Sequence, residues 1–111
     1  MIEVILKNYL DSVLSVPVYM EKPTTAPAKY VLMEKTGSGR SNQLDSSTFA
    51  FQSYADSLYE AALLNEKVKA AAGSLVALDE VASVRLNSDY NFTDTATKQY
   101  RYQAVFDIKH Y

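Results

Sequence analysis

A chain of 111 residues, 48% of them apolar and 22% charged, has room for one hydrophobic core and lies in the globular rather than the disordered range. Eleven basic against thirteen acidic residues supply no cationic field of the kind that draws proteins onto nucleic acid or anionic lipid. With no cysteine at all, disulfides, thiolate metal sites and a cysteine nucleophile are excluded.

The apolar runs Ala61–Leu64 and Ala70–Ala72 fall far short of the ~20 residues a membrane span needs. Met1–Lys7 lacks the basic start and small-residue cleavage site of a secretory signal. The expectation is a soluble protein of cytoplasmic origin. Nine tyrosines, four phenylalanines and no tryptophan suit half-exposed sheets and interfaces, because tyrosine joins apolar bulk to a polar tip.

In chain order, Ile2, Leu6, Tyr9, Leu10, Val13 and Leu14 recur at three and four residues, which predicts a helix with one apolar stripe. Val16–Met20 is short and β-branched with an internal proline, which predicts an edge strand. Glu21–Lys29 holds Pro23 and Pro27 and reads as an extended connector. Lys29–Thr36, apolar in the middle and charged at its ends, predicts a sheet strand. Gly37–Gln43 then breaks every pattern, and its two glycines predict a flexible hairpin loop. Phe49 and Phe51 alternate with Thr48, Ala50 and Gln52, the period of a return strand with one buried face.

Ser53-Tyr54-Ala55-Asp56 fits a Ser-x-x-acid helix start. Leu58, Ala61, Leu64, Val68, Ala71, Ala72 and Leu75 then recur at helical spacing, with Gly73 as the stop. Val81–Leu86 predicts a strand leading into a second long loop, Asn87–Asp94. Tyr100, Tyr102, Ala104, Phe106 and Ile108 alternate with polar positions as a half-buried strand. The order is helix, three strands, helix, two strands. Each element must hide its apolar side, so the expected architecture is an α+β two-layer sandwich, a mainly antiparallel sheet packed by two helices, in a single domain spanning residues 1–111.

The chemistry of a site is sparse. The one histidine, His110, stands next to last and reads as a frayed terminal residue rather than a base. One histidine without cysteine argues against a transition-metal site. Gly37-Ser38-Gly39-Arg40-Ser41 lacks the lysine and the strand-to-helix setting of a phosphate loop, but a glycine loop carrying Arg40 suits a contact with a neighbouring molecule. Asp89, Asn91 and Asp94 resemble scattered calcium ligands without the twelve-residue loop pattern, and Asx turns are the favoured reading. Tyr90 and Phe92 in the same segment either anchor a partner or fold back onto the sheet. Asp79-Glu80 read as solvated. The residues taken as candidate partner contacts are Gly37, Gly39, Arg40, Tyr90, Phe92 and Asp94; no catalytic, cofactor or metal site is expected.

Three stretches carry a family resemblance: Tyr54–Ala62, Leu86–Asp94 and Tyr100–Phe106, the last containing Arg101-Tyr102-Gln103-Ala104-Val105-Phe106 as R-Y-x-A-x-F. In these the chain resembles the tail-completion, or tail terminator, proteins of long-tailed bacteriophages and prophages. The resemblance implies a non-enzymatic α+β structural protein that caps the tail tube at its final length and offers a joining surface to the head. It also implies a hexameric ring of copies of itself, contact with the major tail tube protein and the head-tail connector, and DNA met only as it passes through the ring. The implied location is the bacterial host cytoplasm during assembly and then the virion tail. The stretch through Pro27 carries little of the resemblance.

Three alternatives stand beside this. A head-tail connector or neck protein shares size and setting. A small enzyme or ligand-binding module would need a pocket with convergent polar groups, which tyrosines could line. A nucleic-acid binder would need Lys35, Arg40, Arg85, Lys98 and Arg101 gathered on one surface.

Overall fold

The computed structural model describes residues 1–41 and 43–111, Ser41 by its backbone alone. Its elements are α1 (Ile2–Val13), β1 (Val18–Tyr19), β2 (Tyr30–Ser41), β3 (Leu44–Ala55), α2 (Leu58–Gly73), β4 (Val81–Asn91) and β5 (Tyr100–His110), with a 3-10 turn at Ser74–Ala77. This is the expected α+β sandwich in the expected order. The sheet runs β1-β2-β3-β5-β4, antiparallel throughout except where β1 lies parallel to β2.

α1 buries Leu6 and Leu10, with Ile2, Tyr9 and Leu14 packed at the margin of the core. It stops at Val13, and Leu14 is already extended. The Asp11 carboxylate then accepts from the Val18 amide at 3.0 Å and from Lys7 Nζ at 2.6 Å, which ties the helix end to β1. The Lys7 hydrogen bond, with the Val18 amide adding to it, holds the Asp11 carboxyl below its ordinary range against the opposing effect of burial.

The second helix begins later than its sequence signal suggests. Ser53 and Tyr54 stay in β3, opposite Val31 and Tyr30 on one side and Tyr102 and Arg101 on the other, so the Ser-x-x-acid start at Ser53 is corrected. The cap is Ser57, whose Oγ accepts from the Glu60 amide at 3.2 Å. That is the same hydroxyl-and-acid device four residues on, displaced because sheet pairing satisfies the earlier backbone first. Gly73 is the last residue of α2, as expected.

Both long loops are also corrected. β2 continues through Gly37, Ser38, Gly39 and Arg40, paired with Thr48, Ser47, Ser46 and Asp45, and neither glycine has a positive φ. Only the tip remains a turn, with Gln43 at φ 65; Asn42, within the predicted loop, lies outside the described residues. β4 likewise runs on through Asn87, an unpaired bulge residue, and pairs Ser88–Asn91 with Val105–Tyr102. Turn-forming residues lose to the sheet here because a neighbouring strand offers partners to the inward-facing backbone groups.

The core lies between the helices and one sheet face. Phe49, Phe51, Phe106, Ile108 and Val31 meet Leu6, Leu10, Leu64, Val68 and Leu75, all buried. Phe51 and Phe106 stand edge to face at 5.8 Å between centroids. Each such side chain contributes about 1.5–3 kcal/mol on burial. β3 departs from the one-faced expectation: Ala50, Gln52 and Tyr54 are buried too, on the face away from the helices. Among the described residues no helix is long and apolar enough to cross a membrane.

Candidate assembly surface

The sheet face opposite the helices is built from every second rung. β3 places Tyr54, Gln52 and Ala50 there, and the register sets them beside Arg101, Gln103 and Val105 of β5. Tyr90 stands across from Gln103 on β4, and Phe92 follows it, its amide donating to the Arg101 carbonyl at 2.9 Å.

These residues close a circuit. Arg101 Nη1 donates to the Tyr54 hydroxyl at 2.9 Å, and that hydroxyl donates to Gln52 Oε1 at 3.1 Å. Gln52 Nε2 donates to Gln103 Oε1 at 2.8 Å, and Gln103 Nε2 donates to the Tyr90 hydroxyl at 2.5 Å. The Tyr90 ring meets Phe92 edge to face at 5.9 Å, and Phe92 lies under the Arg101 guanidinium at 4.6 Å. Arg101 Nε also donates to the Phe92 carbonyl at 2.7 Å.

A face without a helix over it thus buries two amides by giving each a partner in the other and in a tyrosine hydroxyl. Tyr30 extends the surface by stacking on Tyr54 at 4.5 Å, and Tyr19 adds an edge contact to Tyr30 at 5.9 Å. Burial, reinforced by Tyr54, pushes the Tyr30 phenol above its ordinary pKa.

Tyr90 and Phe92 therefore fold back onto the sheet yet stay 41% and 39% exposed. Asp94 caps its own turn, accepting from the Ala96 and Thr97 amides at 3.0 and 3.4 Å. The Thr97 side chain first, and then those amides, hold its carboxyl below the ordinary range. Asn91 makes the companion Asx turn to the Thr93 amide at 3.0 Å. Asp89 turns to the helix side instead and takes Lys69 Nζ and Asn65 Nδ2, each at 2.6 Å. The three residues that resembled calcium ligands do not converge, and among the described residues no cluster of three metal-ligating side chains exists.

No protein-family model matches the chain, and no curated protein matches it.

Gly37, Gly39 and Arg40 belong to a strand edge rather than to a loop tip. Arg40 is exposed and lies opposite Asp45. The basic residues do not gather. Lys35 and Arg40 lie level with Phe49 and Asp45 on the helix side, whereas Arg85 reaches Asp107 at 3.1 Å on the other face. Arg101 is six rungs from Arg85 along β5, or roughly 20 Å at the usual rise per residue.

His110 corrects the frayed-terminus expectation. It is paired in β5 with Asp45 and Val81, buried, and 2.9 Å from Ser47 Oγ through Nε2. Asp79 and Glu80 are exposed, as read.

Sequence reasoning passed over Gln52, Gln103, Tyr54 and Arg101 as a set. Their signal was a glutamine at the polar parity of both aromatic strands. Only the β3–β5 register shows that the two glutamines stand side by side.

Proposed function

We propose that this chain is a structural assembly protein that acts through surfaces rather than catalysis, capping a phage or prophage tail tube and presenting the head-proximal joining surface. The observation that supports this best is the convergence of the three resembling stretches. Tyr54 comes from the first, Tyr90 and Phe92 from the second, and Arg101 and Gln103 from the third, and all five share one contact circuit on the uncovered sheet face.

Two further features suit the role. The molecule is elongated, 43 × 24 × 24 Å, with unlike strand edges at opposite sides of the sheet, β4 on one and, beyond the two residues that β1 covers, β2 on the other. A ring is a heterologous assembly in which one patch meets a different patch on the next copy until rotation closes. Two unlike edges on opposite sides fit that demand. In this reading the partners are further copies in a hexameric ring, the major tail tube protein and the head-tail connector. The protein acts in the host cytoplasm during assembly and remains in the virion tail.

The test is deletion of the gene in the phage or prophage that carries it, followed by electron microscopy of the particles. Overlong or headless tails are expected. Normal tails joined to heads would refute the capping role.

A further inference from the structure

We infer that copies of this chain join edge to edge, β4 of one copy pairing antiparallel with β2 of the next in one fixed register, from Met33 opposite Asp89 to Gly39 opposite Ser83. The inference deepens the ring reading and rests on it for the head-to-tail arrangement.

Strand direction comes first. β2, β3, β5 and β4 alternate up, down, up, down, because each neighbouring pair is antiparallel. A second copy in the same orientation therefore brings its upward β2 beside a downward β4, and the alternation continues across the junction. A two-fold pairing of like edges would need one copy inverted.

The bulges fix the register. Edge strands commonly carry bulges that spoil pairing with strangers. Here each edge carries one within the same span, β2 between Lys35 and Gly37 and β4 between Leu86 and Ser88, while β4 carries a second between Val81 and Ser83. Between the rung through Glu34 and Ser88 and the rung through Gly37 and Arg85, each inner strand takes two steps, Ala50 to Thr48 and Val105 to Asp107. Each edge takes three, with Thr36 extra on β2 and Asn87 extra on β4. The two extra residues lie one rung apart, since Lys35 and Leu86 share the rung through Phe49 and Phe106, and the edges are level on either side of them: Met33–Asp89 and Glu34–Ser88 before, and Gly37–Arg85, Ser38–Val84 and Gly39–Ser83 after.

β1 sets where the pairing starts. It occupies the edge of β2 at Val31 and Leu32, and the free edge begins at Met33. The glycines agree with a close external approach. Neither has a positive φ, a Cβ on Gly39 would meet nothing within 4 Å, and one on Gly37 would make only ordinary contact with Thr48 at 3.9 Å. Nothing inside the chain demands glycine at either place, and glycine weakens a strand unless another backbone comes near. Charges are complementary too. Lys35 falls diagonal to Asp89, both on the helix side, opposite signs at a distance where cross-strand pairs interact, and this contact would add to their pairings with Glu3 and Lys69 within each copy.

The chain lacks cysteine, so disulfide trapping reads the register directly. The variant Gly39→Cys/Ser83→Cys puts thiols on directly opposed residues of neighbouring copies and touches nothing buried. The control Gly39→Cys/Arg85→Cys is displaced by two residues. Opposed Cα atoms lie ~4.5–5.5 Å apart and diagonal ones ~7–8 Å, beyond the reach of an unstrained disulfide. Under mild oxidation of the purified full-length chain, the matched pair should give a covalent ladder with about tenfold more product than the control. Gly39→Cys alone should give no dimer in excess of background.

Equal ladders from matched and displaced pairs, a strong dimer from Gly39→Cys alone, or a chain that stays monomeric and uncross-linked at every concentration would each overturn the pairing. Rings seen by microscopy without the matched cross-link would overturn it while sparing the capping role. A matched ladder from a chain whose deletion leaves normal tails would do the reverse.

Discussion

Arg101 lies with its guanidinium 4.6 Å above the Phe92 ring while donating at 2.9 Å to the Tyr54 hydroxyl, so one cation joins the β4–β5 connection to β3. Phe92 is partly exposed, so its removal loses a fraction of a full aromatic burial plus a cation–π contact worth ~0.5–1 kcal/mol. Phe92→Ala should lower stability by about 1–2 kcal/mol in urea titration and leave the fold intact. A loss of 3–5 kcal/mol, the range for a truncated core aromatic, would show that Phe92 belongs to the core.

The buried amide pair makes a sharper prediction. Gln103→Ala strands the Gln52 Nε2 group and the Tyr90 hydroxyl, and should cost about 1–3 kcal/mol. Replacing both glutamines by leucine removes the amide donor and acceptor together, leaving only the Tyr54 and Tyr90 hydroxyls to find other partners, and should cost less than the sum of the two single changes. A double change that costs the sum of the two single ones, measured in a double-mutant cycle, would show that the amides are not coupled.

Truncation after Lys109 removes His110 and Tyr111, and with them the Ser47 contact and the hydrogen bond from the Tyr111 amide to the Glu80 carbonyl at 3.0 Å. A loss of about 2–3 kcal/mol is expected, at ~1 kcal/mol per hydrogen bond plus lost ladder pairing. Unchanged thermal unfolding would mean that the last strand frays before His110.

Acid sensitivity follows from Asp107 and Asp89. At Asp107 the hydrogen bond from Asn87, then those from Thr48 and Arg85, outweigh burial and lower the pKa. At Asp89 burial pushes upward, but Lys69 and Asn65 overcome it. A carboxyl whose folded pKa is depressed contributes stability above the unfolded value, near ~3.9, and loses it as pH falls through the folded value. Stability should therefore hold from neutral pH to about 5 and drop below about 4. Asp107→Asn should flatten that acid limb as followed by urea midpoint against pH. An unchanged acid limb would place the linkage elsewhere.

The sequence by itself determined the element types, their order and the helix-facing core. Phe49, Phe51, Phe106, Ile108 and the stripe Ala61, Leu64, Val68, Ala72 and Leu75 state their burial by period alone, because a local period fixes which side chains share a face, while Leu58 at the start of that stripe is exposed. Tertiary structure decided everything that depends on a partner strand. Gly37–Arg40 and Asn87–Asn91 carry loop-like residues and became strands because β3 and β5 offered their amides partners. Ser53 lost its capping role to Ser57 for the same reason, and His110 gained a buried place through Ser47, a residue on a different strand. The meeting of Arg101, Tyr54, Gln52, Gln103, Tyr90 and Phe92 is likewise a matter of register. Register is a property of two strands together, and a linear sequence states only one strand at a time.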